Sequence, residues 1–382
     1  NPSILKRAGA EETDMIIAVT LHDEINMVAC QMAHTFFKIP RKIARLRSED
    51  FLNPIWRDLY NAENMPIDLI ISPELEVAKS IERQLKAPGA YDVVPFLNDE
   101  IELLSLPIRE NCPLIDTNLI SIHELFQEYS DKDKDLRASI LGINRGDNLF
   151  IPKKTDVLKD GDLIYVLSDK GHVKRTMNAF GLNEKPIKKI IIVGGGNIGF
   201  NLAKDIETNH ADISVSIIES DKQRAKFLAD QLTNTLILNG DGLDQNILDE
   251  ANIKDADMTL ALTNDDETNI IISAVAKKNN CESLILVNNS EYNKLKDVLG
   301  ISKIIDPRKI TVSKILKHVH KGRIESVYSI GNNQAELIHA QALKSSKLLN
   351  KTIKDSNLPV GMRIGLIKKH DQIIIPNKDT VI

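Results

Sequence analysis

Residues 189–199 read KIIIVGGGNIG, where a strongly apolar run leads directly into consecutive glycines. Gly194, Gly196 and Gly199 give the spacing GxGxxG at the point where a strand ends and a helix begins. In such a turn the first glycine permits the tight bend, the second lets the backbone approach a pyrophosphate, and the third allows close helix packing. The helix N-terminus then offers free N–H groups to the phosphates. This stretch therefore predicts a site for an NAD-type dinucleotide.

An acidic residue stands where such a site needs one. Glu219 follows Gly199 by about 20 residues, at the end of the next apolar run, where a carboxylate can bind both ribose hydroxyls. Glu219 would repel a 2′-phosphate, which favours NAD over NADP, although Arg224 in the next helix could offset part of that repulsion. The alternative is a glycine turn that binds no ligand.

Apolar runs and helical stretches alternate from residue 187 onward, which predicts parallel strands joined by crossover helices. The runs IIIVG and LILVN lack polar alternation, as expected for strands covered on both faces. We therefore predict an α/β fold with a doubly wound, Rossmann-type parallel sheet. Ligands of such sheets bind beyond the carboxyl ends of the strands. The other candidate residues at those ends are Gly195, Asn197, Ile198, Asp241, Thr263 and Asn264.

Thr263 has a second interpretation, as the N-cap of the helix that begins in the segment DDET. One residue can serve both purposes, so both interpretations stay open. Asp266, Glu267 and Asn269 follow in the same helix and recur elsewhere in the chain. We interpret them as a shared surface rather than a cofactor contact.

The chain repeats itself. Residues 8–26 (AGAEETDMIIAVTLHDEIN) align without a gap on residues 251–269 (ANIKDADMTLALTNDDETN). The residues that meet an identical partner are Ala8, Asp14, Met15, Ala18, Thr20, Asp23, Glu24 and Asn26. A weaker echo relates residues 140–152 (ILGINRGDNLFIP) to residues 364–376 (IGLIKKHDQIIIP), and both read as two short strands joined by a polar turn.

The repeats predict a Rossmann module followed by a small α+β module, with the pair then duplicated. We expect Rossmann modules over residues 1–71 and 187–305, and small modules over residues 91–183 and 324–382. The first and last modules are expected to be incomplete, because only seven residues precede Ala8 and the first glycine turn is missing. The charged run SDKDKD is predicted to be a solvated loop in the first small module.

Composition excludes several classes of protein. The 382 residues are 42% hydrophobic and 27% charged, as in soluble globular proteins, and the formal net charge of -5 argues against a nucleic-acid partner. Cys30, Cys112 and Cys281 are widely spaced without a CxxC pair, so we expect reduced, buried thiols and neither disulfides nor zinc. No apolar run approaches the roughly 18 residues of a membrane span, which predicts a cytosolic protein or one held at a membrane by a partner.

No catalytic set is evident. A dehydrogenase needs a proton donor near the nicotinamide. The candidate histidines are His210, His318, His320 and His339, which we interpret as solvated or helix-end side chains. Asp14, Asp23 and Glu24 have no convincing metal-ligand spacing, so we predict neither a catalytic site nor a metal site.

The repeated segment, the run IIIVGGGNIG and the string LALTNDDETNI resemble those of the tandem RCK (KTN) family, the regulatory subunits of Trk-type potassium uptake systems. The resemblance covers essentially the whole chain. It implies Rossmann-like domains that bind NAD(H), or ATP and ADP, each followed by a small C-terminal domain. It also implies a homo-oligomer at the cytoplasmic face of the inner membrane, gating K⁺ flow through a membrane subunit of the TrkH or TrkG type.

Carried over by motif, the nucleotide residues are Gly194 through Ile198, Glu219, Thr263 and Asn264 in the second unit. In the first unit they are Thr20, Leu21 and Arg45. That unit departs from the family because it lacks the glycine turn and the ribose acid. Val287 is expected at the position equivalent to Arg45, so the two sites need not prefer the same nucleotide.

These features favour a nucleotide-sensing regulator of a potassium transporter, because tandem Rossmann units occur without catalytic residues or membrane spans. An NAD-dependent oxidoreductase is the alternative and rests on the dinucleotide fingerprint alone. The cytosolic gating ring of a potassium channel or cation exporter is a third possibility, and the tandem duplication within one chain argues against it.

Overall fold

The computed structural model describes residues 1–97, 99–128, 138–289, 291–292, 299, 301–319, 324–331, 334–369 and 372–382. The chain divides into two compact units. Unit 1 comprises Asn1–Lys79 and Lys189–Val319, and unit 2 comprises Ser80–Lys188 and His320–Ile382. The predicted loop SDKDKD and His320 lie outside the described residues.

The elements are numbered in chain order. The helices of the described residues are α1 (Pro2–Arg7), α2 (Asp23–Phe37), α3 (Glu49–Leu52), α4 (Pro73–Lys86), α5 (Leu119–Glu128), α6 (Val173–Ala179), α7 (Asn197–Asn209), α8 (Lys222–Gln231), α9 (Gln245–Glu250), α10 (Asp266–Lys278) and α11 (Pro307–Val319). Short 3-10 helices lie at Ala10–Glu12, Pro54–Leu59, Lys170–His172 and Ile253–Asp255.

The strands alternate with these helices in unit 1 and mostly follow one another in unit 2. They are β1 (Met15–Ala18), β2 (Arg41–Arg45), β3 (Leu69–Ile71), β4 (Asp92–Phe96), β5 (Ile101–Pro107), β6 (Ala138–Arg145), β7 (Asn148–Phe150), β8 (Leu163–Asp169), β9 (Lys189–Val193), β10 (Ser214–Glu219), β11 (Leu236–Asn239), β12 (Met258–Ala261), β13 (Glu282–Leu286), β14 (Lys303–Ile305), β15 (Ile324–Ile330), β16 (Ala335–Ala340), β17 (Ile367–Lys369) and β18 (Gln372–Ile374).

The second half of unit 1 is a six-stranded parallel sheet in the order β11-β10-β9-β12-β13-β14. In order of appearance this is 3-2-1-4-5-6, the strand order of a dinucleotide-binding Rossmann fold. The predicted fold class is therefore confirmed. Strand β14 was not predicted from the sequence, because three residues carry too little periodicity to identify a strand.

Apolar side chains explain why β9 lies at the centre of this sheet. Ile190, Ile191, Ile192 and Val193 are all buried, since helices cover both faces of the sheet. Helix α7 begins directly after the glycine turn and buries one face on the sheet. Full burial of each such aliphatic side chain contributes about 1.5–3 kcal/mol. The turn thus lies between two rigid elements.

The first half of unit 1 is a three-stranded parallel sheet in the order β1-β2-β3. Its strands and the helices α2 and α4 follow the same order along the chain as β12, α10, β13, β14 and α11. The halves also meet through an ion pair, in which Lys314 Nζ lies 3.0 Å from Glu76 Oε1. The described first half therefore matches the last three strands of the second.

Unit 2 contains a five-stranded antiparallel sheet in the order β4-β5-β8-β6-β7, with α5 and α6 contributing to its core. Two hairpins, β15–β16 and β17–β18, come from the second small module. The segments that echo each other form β6–β7 and β17–β18, so the predicted pairs of short strands are confirmed. The first small module is α+β, as expected, and the elements described in the second are strands.

The cysteines are buried and free, as predicted. Burial raises the pKa of Cys30 to about 11. Among the helices in the described part of the chain, none is both long enough and apolar enough to span a bilayer.

Candidate functional site

The first glycine of the turn occupies a position that only glycine fits well. Gly194 has φ +105°, and its N–H donates to Ile218 O at 3.0 Å. A Cβ added there would lie 2.9 Å from Leu262 C and from Thr263 N, both backbone atoms. A Cβ at Gly199 would lie 2.3 Å from Gly194 O. The turn is thus tight at Gly194 and closely packed at Gly199.

The next part of the turn faces open space. Gly196 is exposed, and a Cβ added to it would meet no heavy atom within 4 Å. Gly196 is the N-cap of α7 and supplies no side-chain hydrogen bond, whereas Asp221, Asp244 and Asp265 cap α8, α9 and α10. The first turn of α7 begins with Asn197 and Ile198, and its amides can therefore receive an anion.

Glu219 contacts the same turn. Its Oε2 accepts a hydrogen bond from Gly195 N at 2.8 Å, and its Oε1 accepts one from Asp221 N at 2.8 Å. A carboxylate oxygen has two lone pairs, so each oxygen can accept a further hydrogen bond. The acid predicted to bind ribose hydroxyls therefore lies beside the predicted phosphate-binding turn.

Arg224 also reaches the turn. Its Nε donates to Gly195 O at 2.8 Å, and its guanidinium lies over the rings of Phe227 and Phe200, at 4.7 and 5.6 Å from their centroids. The sequence suggested that this side chain could offset part of the repulsion between Glu219 and a 2′-phosphate. In the structure its Nε is bound to the protein backbone instead.

The third and fourth strands bring further candidates to this edge of the sheet. Gly240 N donates to Glu219 O at 3.0 Å, and the next residue, Asp241, is exposed. Asp241 Oδ1 accepts from Leu243 N at 2.9 Å, so its carboxylate stabilises its own loop. Asn264 is exposed just after β12. Parallel strands present all these residues at one carboxyl edge.

The interpretation of Thr263 as a helix N-cap is wrong. The N-cap of α10 is Asp265, whose side chain accepts from Thr268 N at 2.8 Å. Thr263 instead binds Asn269: its N–H and its hydroxyl both donate to Asn269 Oδ1, at 3.0 and 2.7 Å. An aspartate two residues further along was the better cap, since it reaches the N3 amide.

Asn269 and Asp266 are internal, so their interpretation as a shared surface is also wrong. Asn269 is fully buried, and its Nδ2 donates to Thr263 O at 3.0 Å and to Leu286 O at 2.9 Å. Asp266 is buried and accepts from the backbone amides of Asn288 and Asn289. These side chains fasten the end of β12, the start of α10 and the end of β13. We call this set the strand-end network.

The first half contains the same network. Asn26 is fully buried; it accepts from Thr20 N at 2.8 Å and donates to Arg45 O at 2.9 Å. Asp23 accepts from the backbone amides of Arg47 and Ser48, both at 2.8 Å. Three of the identical residues of the repeat, Thr20, Asp23 and Asn26, thus recur because they hold two strand ends in both copies.

The network also shows which residue of the second half is equivalent to Arg45. Asn26 binds the carbonyl of Arg45, and Asn269 binds the carbonyl of Leu286. Leu286, not Val287, therefore stands where Arg45 does. The offset between copies changes because α2 has 15 residues and α10 has 13.

The first half presents cationic side chains at the corresponding edge. Arg45 ends β2, and its Nε is buried without a hydrogen-bond partner among the described residues. Arg47 Nε lies 2.6 Å from Glu74 Oε1, a pair that the sequence analysis missed. The signal was available, since Glu74 lies in the first turn of α4, which begins two residues after the end of β3. Leu21 is 73% exposed beside Thr20.

Elements other than the strand ends of this sheet carry the three candidate histidines that the structure describes. His210 is the C-cap of α7, at the opposite end of that helix from the turn. His339 lies in β16 of unit 2 and is half-buried, whereas a solvated side chain was expected. His318 belongs to α11.

Two families match the chain, each of them twice. The TrkA-N domain family matches residues 1–73 and 190–307. The TrkA-C domain family matches residues 103–181 and 341–382.

Curated relatives match over the full chain. A Trk system potassium uptake protein TrkA of Azorhizobium caulinodans is 41% identical over 383 residues, covering 100% of this chain and 82% of the relative. The protein of the same name from Halomonas elongata is 34% identical over 385 residues, with the same coverage.

Solved structures show the same fold. The GsuK RCK domain has a TM-score of 0.60 at 17% identity and covers 100% of this chain and 78% of its own. The GsuK channel bound to NAD has a TM-score of 0.62 at 16% identity and covers 100% and 65%. At these identities the likeness concerns the fold alone.

Proposed function

The chain belongs to the TrkA family, whose TrkA-N and TrkA-C domains it carries in tandem, and from that membership we propose that it regulates a Trk-type potassium uptake system. It binds NAD(H) or adenine nucleotides and gates K⁺ transport through a membrane subunit of the TrkH or TrkG type. It acts as a homo-oligomer at the cytoplasmic face of the inner membrane and is not an enzyme. Its functional domains are residues 1–71, 91–183, 187–305 and 324–382.

The contact between Glu219 and the glycine turn carries the nucleotide part of this proposal. A 2.8 Å hydrogen bond joins Glu219 Oε2 to Gly195 N, so the acid and the open end of α7 face one ligand. The pyrophosphate binds at the first turn of α7, and the adenosine ribose binds Glu219. Asp241 lies on the adenosine side, and Thr263 and Asn264 lie on the side of the pyrophosphate and second nucleoside.

The first half would hold a second nucleotide with different contacts. Thr20, Leu21 and Arg45 lie at its carboxyl edge, and the positive charge of the half-buried Arg45 can pair with a phosphate. The equivalent residue of the second half is Leu286, which offers no charge. ATP or ADP therefore suits the first half better than it suits the second.

Regulation follows if the ligands favour different arrangements of the domains. A ligand shifts such an equilibrium only by its difference in affinity for the two arrangements. NAD⁺, NADH and ATP differ in charge, so they can shift it by different amounts.

Calorimetric titration of the full chain with NADH tests the site. Replacing Glu219 by Ala removes the acceptor for the ribose hydroxyls, and we expect NADH to bind about 10- to 100-fold more weakly. The matched control is Asp230→Ala, which removes an exposed carboxylate from the far end of α8. Equal affinity in the Glu219 variant and the wild type would remove Glu219 from the site.

Potassium flux tests the regulatory role. Vesicles carrying the full-length protein and its membrane subunit are assayed with NAD⁺, NADH or ATP. We expect the three nucleotides to change flux differently, and equal effects would refute nucleotide sensing. The same NADH, incubated with a panel of oxidised substrates, should not be consumed; substrate-dependent turnover would instead support the oxidoreductase alternative that the glycine fingerprint suggests.

A further inference from the structure

One residue of the turn, Gly195, is held by side chains at both of its backbone polar groups, which belong to the two peptide groups that flank it. The N–H of Gly195 donates to Glu219 Oε2 at 2.8 Å, while the carbonyl of Gly195 accepts from Arg224 Nε at 2.8 Å. Glu219 ends β10 and Arg224 lies in α8, so the two groups come from adjoining elements. Both bonds involve a charged group, which makes them stronger than bonds between neutral groups.

Aromatic rings fix the guanidinium of Arg224. Its central carbon lies 4.7 Å from the ring centre of Phe227 and 5.6 Å from that of Phe200, which is buried. Arg224 Nη2 is buried without a hydrogen-bond partner among the described residues. A hydrogen bond from Nη2 therefore does not hold the guanidinium among the described residues. Its position is set by the stacking on the two rings and by the bond from Nε to Gly195 O.

Close packing leaves no room for a side chain at Gly195. A Cβ at Gly195 would lie 2.3 Å from Leu228 Cδ1 and 3.1 Å from Glu219 Oε2. At Gly196 the added atom would meet nothing within 4 Å. The turn is therefore rigid on the side of α8 and open one residue later, on the side available to a ligand.

We propose that Arg224 is a positioning residue for dinucleotide binding, an inference that rests on the proposed function. By holding the carbonyl of Gly195, it fixes the residue whose N–H donates to Glu219, and with it the two peptide groups on either side. Glu219 and the free amides of α7 are then aligned for the ribose and the pyrophosphate before the ligand arrives. Preorganisation of this kind improves affinity because the ligand does not pay for ordering the turn.

The coupling through Gly195 can be measured with a double-mutant cycle. Arg224→Met keeps a long apolar side chain against the rings and removes the donor, and Glu219→Gln keeps the shape of the acid. We expect R224M to weaken NADH binding by about tenfold, and the double variant to bind NADH no more than about threefold more weakly than E219Q alone. Lys226→Met, on the same helix and exposed, is the control for loss of a positive charge and should change affinity less than about twofold.

A second measurement needs no ligand. Hydrogen–deuterium exchange of the peptide over residues 190–200 should become faster in R224M than in K226M, with melting temperatures within about 3 °C of the wild type. Unchanged exchange, or two single losses of affinity that simply multiply in the double variant, would overturn the inference. Faster exchange in R224M together with no NADH binding by the wild type would instead contradict the proposed function. It would leave intact the inference that Arg224 orders the glycine turn.

Discussion

Replacing Asn269 by Ala tests whether the strand-end network stabilises the site. Asn269 is fully buried and makes four hydrogen bonds, two through Oδ1 and two through Nδ2. The Thr263 hydroxyl also donates to Asp265 O at 3.1 Å, so it keeps a partner in the variant. The variant leaves Leu286 O buried without this partner, and it removes the partner of the part-buried Thr263 N and Thr263 O. Each buried unpaired group costs about 1–3 kcal/mol, and the part-buried groups cost less. We expect a total loss of about 3 kcal/mol.

The first half supplies an internal control, because Asn26 makes the same bonds there. Hydrogen–deuterium exchange is measured on the full chain for peptides over residues 258–270 and 15–27. In Asn269→Ala, exchange of the first peptide should rise by about a hundredfold, as about 3 kcal/mol implies, with the second peptide unchanged. Asn26→Ala should give the opposite pattern. A loss below about 1 kcal/mol, or equal acceleration in both peptides, would refute this reasoning.

Two glycines of the turn should respond differently to substitution. Gly194→Ala should lower the free energy of unfolding by about 1–3 kcal/mol, because φ is +105° and backbone atoms lie where the Cβ would go. Gly196→Ala should leave the melting temperature nearly unchanged, because its Cβ projects into open space. The same Cβ should weaken NADH binding, because the pyrophosphate is proposed to bind in that space. Unaltered NADH affinity in calorimetry would contradict this. For Cys30, burial raises the pKa to about 11 from an ordinary value of 9.0, so the neutral thiol stabilises the fold fully below pH 9 and that contribution is lost as the pH rises to 11. Calorimetric melting of Cys30→Ala should therefore show lower stability at pH 8 but a flatter fall between pH 9 and 11. Parallel curves would show that folding does not change the pKa of Cys30 and would contradict this prediction.

The parallel sheet could be predicted from the sequence because its signals are local and strong. The run of buried isoleucines in β9, the glycines after it and the acid after β10 each occupy a few adjacent residues. Strand β14 could not be predicted, because three residues show no period and β13 defines its place only through long-range pairing. Repeats found by alignment were equally visible, since they need no three-dimensional information.

The errors at the site share a different cause. Alignment identified Asp266 and Asn269 as repeated residues, but their partners are backbone groups up to 23 positions away. Polar side chains with such partners look like surface residues in a sequence. The shift from Val287 to Leu286 arose because helices of unequal length changed the register between copies. Likewise, the bond from Arg224 to Gly195 spans 29 positions and has no sequence signature.

The strand-end network bears on how two copies of one module can diverge. Asn26 and Asn269 bind the carbonyl oxygens of Arg45 and Leu286, and any residue supplies that oxygen. Leu286 is buried, whereas Arg45 is half-buried at its strand end. Mutation at Arg45 can therefore change the side chain at that strand end while its carbonyl oxygen keeps the bond to Asn26. Duplication of such a module thus lets one copy vary at a strand end while both copies keep the same internal hydrogen bonds.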